Sequence, residues 1–342
     1  MNPISSRVEN AESFPCAPDV RNRETDDNGF SSGWGFHFQP SEAYWLDCHN
    51  HLSEQVRTLA PLCQVLDEYF GTLDAYRLGR MVLIVKDPQL FSLCQSVARQ
   101  DPRFGWFYRM PCDKPDPDAA QHALDSGAVG LKLHNAPLMA GVVEPEIWLG
   151  TEWGAVFDRL NRAGSAVLWH VTQRIGASPY HGGGARVYWK EAQNGTKTSN
   201  EHVLQSVLQV ARQYPGLSVI GAHQLHLGLD RLSELFDVHP NLYIDTSCGF
   251  FLRWADDLYE DHRATLRAFF LKYADRILFG TDGSIVPGPL KANAVEAFLC
   301  HARFIKQLRL PDGVLQQVSH ANAERIFKWA LLTPTHCGNV RP

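Results

Sequence analysis

The strongest constraint in this 342-residue chain is an alternation. Eight short runs rich in β-branched, aromatic and leucine residues recur along it: AYWLDCH (43–49), RMVLIVK (80–86), FGWFYRM (104–110), AVGLKLH (128–134), AVLWHV (166–171), LSVIGAH (217–223), NLYIDTS (241–247) and RILFGTD (276–282). Most are near-continuously apolar, as strands buried on both faces of a parallel sheet must be. Helical periodicity fills the gaps. TEWGAVFDRLNRAG precedes the fifth run and NEHVLQSVLQVARQYPG the sixth, each closing on a glycine suited to a helix C-cap. Eight such units predict an α/β fold, a (β/α)8 TIM barrel spanning 41–330. Residues 1–40, rich in Asn, Asp, Ser and Gly without periodicity, read as an irregular N-terminal extension, and 331–342 as a C-terminal tail. The segments 172–199, after the fifth strand, and 248–263, after the seventh, exceed ordinary connections and are candidate substrate loops.

Composition narrows the function. A formal charge of −5 and a pI near 6.3 argue against a nucleic-acid binder, which needs a basic surface. No run of 18 apolar residues marks a membrane span, and the first twenty residues lack the apolar core of a secretory signal. The eight cysteines form no C-x-x-C pair, so buried thiols of a cytoplasmic protein are expected rather than a disulfide frame. The expected partner is a small-molecule substrate, with neither nucleic acid nor membrane, and a homo-oligomer is expected.

In a TIM barrel the active site lies at the C-terminal ends of the strands. Ionisable residues collect there: His49 and His51 on the first strand, Lys132 and His134 on the fourth, His170 on the fifth, His223 on the sixth, Asp245 on the seventh and Asp282 on the eighth. Side chains alternate faces along a strand, so His49 and His51 point the same way, as do Lys132 and His134. Imidazole and carboxylate suit zinc and neighbouring divalent ions. Asp245 reads as a hydrogen-bonding partner that orients a metal-bound histidine. His223 or Asp282 is the candidate base. Arg109, Arg174 and Arg253 lie at or just past strand ends, where a guanidinium can grip a substrate carboxylate. His134 is a candidate wall of the same site, and His226 a supporting residue or helix cap.

At these residues the chain resembles the amidohydrolase superfamily, and within it the amidohydrolase-related (family 2) branch. The resemblance is carried by LDCHNHLS, GLKLH, VLWHV, VIGAHQLHLG, LYIDTS, LFGTDGS and ANAERIF, and covers roughly residues 43–328. It implies that His49, His51, His170 and Asp282 hold one divalent metal, zinc or manganese. It also implies that His223 orients or activates a water and that Asp282 shares its proton. In binuclear members a fourth-strand lysine, carboxylated by carbon dioxide, bridges two ions. Lys132, His170 and His223 fit that scheme as well; with a single ion, Lys132 contacts substrate. After GTD, members of the branch often carry an aromatic or small residue and then proline, where this chain has Gly283 and Ser284. The expected reaction is metal-dependent hydrolysis of a C–N or C–O bond in a small carbonyl substrate (amide, lactone or ester). The alternative is non-oxidative decarboxylation of an aromatic or unsaturated acid on the same metal site. A third reading is a barrel that binds without turnover.

Overall fold

The structure, a computed structural model, describes residues 44–139, 142–172, 199–247, 260–286 and 292–329. The extension 1–40, the tail 331–342, and most of both long segments, including Arg174 and Arg253, lie outside the described residues. Among the described residues, nine strands form one sheet: β1 (Trp45–Leu52), β2 (Leu78–Val85), β3 (Phe104–Arg109), β4 (Gly130–His134), β5 (Ala166–His170), β6 (Ser218–Gly221), β7 (Leu242–Asp245), β8 (Ile277–Leu278) and β9 (Gly283–Ile285). Their order is β8-β7-β6-β5-β4-β3-β2-β1-β9, and each pairing is parallel.

The two ends of that order are one stretch of chain. Leu278 pairs with Asp245 of β7, Ser284 pairs with His51 of β1, and between them the Cys48 amide donates to the Phe279 carbonyl at 3.0 Å. The stretch 277–285 therefore touches both β7 and β1 and closes the ring as the eighth strand of a TIM barrel. The sequence predicts that strand as one continuous run over 276–282, whereas the structure breaks it. Asp282 adopts φ +58°, a left-handed conformation that interrupts the ladder. Asp47 holds the break, accepting from the Thr281 amide at 3.1 Å and the Thr281 hydroxyl at 2.6 Å.

The interior follows the period of two. Leu46 and Cys48, Val82 and Ile84, Phe107, Ala166 and Leu168, Ile220 and Ala222, Tyr243 and Leu278 form one buried cluster. Ala323, Ile326 and Phe327 of the helix Asn322–Phe327 join the same cluster. Burying each large apolar side chain stabilises the fold by about 1.5–3 kcal/mol, and truncating one such as Leu168 costs about 2–5 kcal/mol.

The helices obey their predicted signals, with one exception. Thr151–Ala163 ends at Gly164, whose φ of +55° and amide bonds to Leu160 and Asn161 make it a left-handed cap. Asn200–Gln213 starts on the Ser199 hydroxyl, which accepts from the His202 amide at 3.1 Å. It stops three residues short of Gly216, because Tyr214 precedes Pro215 and is excluded from the helical region (φ −121°, ψ 73°). No helix among the described residues is long and apolar enough to cross a membrane.

Candidate metal centre

Extending the inward parity of the apolar layers by one step reaches the polar residues. From Phe107 it leads to Arg109, from Leu168 to His170, from Tyr243 to Asp245, and from Leu278 through Gly280 to Asp282. Strand β1 would break the rule, since Leu46 and Cys48 lead to Asn50. A bulge corrects it: β1 advances three positions from Asp47 to Asn50 where β2 advances two from Met81 to Leu83. His49 and His51 then share the centre, with ring centroids 5.5 Å apart. Gly280 makes room for this layer. A Cβ there would lie 3.1 Å from the His49 Cβ and 3.3 Å from that of Asp245.

The sequence places His223 at a strand end, but β6 stops at Gly221. His223, Gln224, Leu225 and His226 all take positive φ, between 51° and 58°, at roughly 1 kcal/mol or more per residue. Side chains hold this left-handed turn. Gln224 Nε2 donates to the carbonyls of Asp245 (2.8 Å) and Ser247 (3.0 Å), and the Thr172 hydroxyl donates to the Leu225 carbonyl. The turn presents two imidazoles to the barrel axis. His223 lies 5.3 Å from His49 and 4.7 Å from His170, and His226 lies 5.5 Å from His170. His226 is therefore a buried wall of the centre that also bonds the Thr172 carbonyl at 2.8 Å, not a helix cap.

Asp245 is the hub. Its Oδ1 accepts from the His223 amide (2.8 Å), the Ser247 amide (3.1 Å) and the Ser247 hydroxyl (2.6 Å), and its Oδ2 lies 2.7 Å from His49 Nδ1. Burial alone would raise this carboxyl, but His49, His223 and the Ser247 hydroxyl bring it down to about 2. With Ser247 donating to Asp245, its oxygen accepts from His223 Nδ1 at 3.0 Å. The tautomers that satisfy this network carry the proton on Nδ1 of both His49 and His223, leaving lone pairs on both Nε2 atoms. Sequence reasoning alone misses Ser247. Its signal was a hydroxyl two residues beyond a strand-end aspartate.

His49 Nε2 then faces Asp282 Oδ1 at 3.1 Å without a hydrogen bond, while His51 Nε2 lies 3.0 Å from the same oxygen. A lone pair opposite a carboxylate requires positive charge, either a second proton on His49 or a cation. Burial and Lys132 depress the His49 pKa, yet Asp282 and Asp245 outweigh them and raise it. The donor atoms of His49, His51 and Asp282 all lie within 4.8 Å of one another, as do those of His49, His223 and Asp245. The second group is already consumed, because both Asp245 oxygens accept hydrogen bonds. The first fits a cation.

His170 belongs to neither group. Its Nδ1 lies 3.1 Å from His223 Nε2, its ring stacks on His134 at 4.2 Å, and its Nε2 is buried without a partner. Burial pushes its pKa well below the ordinary imidazole value, so it is a neutral donor. His223 is likewise neutral, pushed by burial to about 4. His134 Nδ1 accepts from the Ala136 amide at 2.9 Å, which fixes its tautomer and its place on the wall. Lys132 is fully buried, its Nζ has no hydrogen-bond partner, and burial pushes its pKa down to about 8. Arg109 is half-buried beside it; burial lowers its pKa, and Asp282 is the largest carboxylate influence against that shift.

The family model described as "Amidohydrolase" matches residues 47–329 of the chain. No curated protein matches its sequence. Solved structures share its fold at low identity. The 5-carboxyvanillate decarboxylase of Sphingomonas paucimobilis is 13% identical, with 84% of this chain and 100% of that chain covered, at a TM-score of 0.54. That of Novosphingobium aromaticivorans, solved with manganese and 4-hydroxy-3-methoxy-5-nitrobenzoic acid, is 10% identical (85% and 97% covered, TM-score 0.53). Dihydroorotase from Campylobacter jejuni is 16% identical (87% and 88% covered, TM-score 0.53).

Proposed function

The chain belongs to the amidohydrolase family, and from that premise we propose that its centre holds one divalent cation and hydrolyses a C–N or C–O bond of a small carbonyl substrate, an amide, lactone or ester. The observation that carries this reading is the orphaned His49 Nε2 lone pair facing the Asp282 carboxylate. His49, His51 and Asp282 would hold the ion, and His170, which lies outside that group, would supply a fourth donor through its unpartnered Nε2. Imidazole and carboxylate donors favour zinc or manganese. A bound divalent ion supplies Lewis acidity, polarising a carbonyl and lowering the pKa of water to about 7.

The chain's own residues do the rest. Asp245 fixes His49 so that Nε2 is the liganding nitrogen. Ser247 holds the His223 Nδ1–H, so the basic nitrogen of His223 is Nε2, which accepts from His170 Nδ1 at 3.1 Å and would take a proton from water by giving up that contact. Asp282, held far below the usual carboxylate range by His49 and His51 despite its burial, is the second proton acceptor. Buried free thiols at Cys48, Cys94 and Cys112 support a cytoplasmic placement.

Decarboxylation of an unsaturated or aromatic acid is the second reading, favoured by the cations Lys132 and Arg109 beside the centre. Chelation should abolish hydrolysis of any active substrate, and zinc or manganese should restore it; unchanged hydrolysis sinks the metal's role. Release of carbon dioxide from a panel of hydroxybenzoate-like acids separates the two reactions.

A further inference from the structure

We propose that Arg109 and Lys132 form a carboxylate clamp, so that the substrate of this centre is an organic anion. The inference rests on the substrate's binding at the centre described above, but not on which bond breaks. Arg109 ends β3 and Lys132 lies in β4, and the two are direct register partners in a parallel ladder. Paired residues on adjacent parallel strands sit about 4.8 Å apart and project to the same face. Lys132 is also the register partner of Leu168, and Arg109 lies two residues beyond Phe107, both of them inward residues of the core cluster, which places that face on the barrel interior.

Neither cation is satisfied within the protein. Lys132 Nζ is buried without a hydrogen bond, and Arg109 has no hydrogen-bond or ion-pair partner among the described residues. An unpaired buried ammonium is costly and persists where something else completes it. The carboxylates nearby are engaged elsewhere: Asp245 with His49, Ser247 and the His223 amide, Asp47 with Thr281, Glu54 with Lys86, and Asp282 through Oδ1 with the two β1 histidines. Adding a divalent ion leaves the mouth in positive excess. A ligand carboxylate, one oxygen toward each cation, supplies the missing charge and the missing acceptors together.

Calorimetry with benzoate and its neutral isostere benzamide, on metal-loaded and on chelated full-length protein, tests the clamp. Benzoate should bind both forms, more tightly than benzamide by about tenfold or more, as expected for charge-assisted hydrogen bonds. Arg109→Met and Lys132→Met should each weaken benzoate about tenfold or more, leaving benzamide binding and metal content unchanged. Arg109 is half-buried, so its variant keeps the test available should Lys132→Met fail to fold. Elemental analysis of the same samples reports on the metal separately. Protein that holds no metal yet binds benzoate through these cations removes the metal centre and keeps the clamp. Three results overturn the clamp: no benzoate binding to either form, benzoate binding indifferent to both variants, or a carbamate resonance after carbon-13 bicarbonate treatment that Lys132→Met abolishes.

Discussion

The substitution Asp245→Asn should weaken metal binding through a tautomer, without removing a ligand. Three donors converge on Asp245 Oδ1 at 2.6–3.1 Å, so the oxygen of the introduced carboxamide must take that side. Its NH2 then faces His49 Nδ1 across the 2.7 Å contact. Two donors cannot share that contact, so His49 must move its proton to Nε2, the atom 3.1 Å from Asp282 Oδ1. The liganding lone pair is lost, although both His49 nitrogens then have partners in the metal-free protein. Losing such an orienting partner typically costs 10–100-fold in metal affinity, or about 1.4–2.7 kcal/mol. Competition with a chromophoric chelator measures the affinity, and urea unfolding of the chelated variant confirms that it folds. The visible spectrum of cobalt-loaded protein should keep its coordination number. A folded variant that binds metal within about twofold of the parent would refute the tautomer argument. A changed cobalt coordination number would refute it too, by making Asp245 a ligand itself.

Stability in the metal-free protein should fall on acidification partly through His301. Burial lowers this imidazole from 6.5 to about 4, so the unfolded chain takes up its proton first. Its stabilising contribution is complete above pH 6.5 and is lost as pH falls toward 4, by up to about 3 kcal/mol. Chelated His301→Leu should lose about 2 kcal/mol less than the parent between pH 7 and 4.5 in urea titrations, and parallel losses would show that His301 is not responsible. Arg309 is exposed with φ +49°, just past the helix Ala292–Gln307. Arg309→Gly should therefore stabilise by about 0.5–1 kcal/mol, and a lower melting temperature would contradict the strain.

What the sequence made legible is the part governed by period. Apolar runs of strand length gave the barrel, and the two-residue repeat carried inward layers such as Ala166–Leu168 up to His170 and Tyr243 up to Asp245. The features it hid all depend on contacts distant in sequence. The bulge in β1 is invisible because LDCHNHL reads as an unbroken strand; only pairing with β2 shows the extra residue that turns His49 and His51 inward. The break at Asp282 depends on Asp47, 234 residues from the Thr281 that it holds. The left-handed turn over 223–226 contains no glycine to announce it. Gln224, reaching back to the carbonyls of Asp245 and Ser247, makes that conformation tolerable. Each departure from regular geometry also aims a functional side chain, one at His49, one at Asp282 and one at His223. Strain gathered at three strand ends around one point is what a preorganised site requires, since a regular barrel would space these donors by its own ladder and not by the radius of an ion.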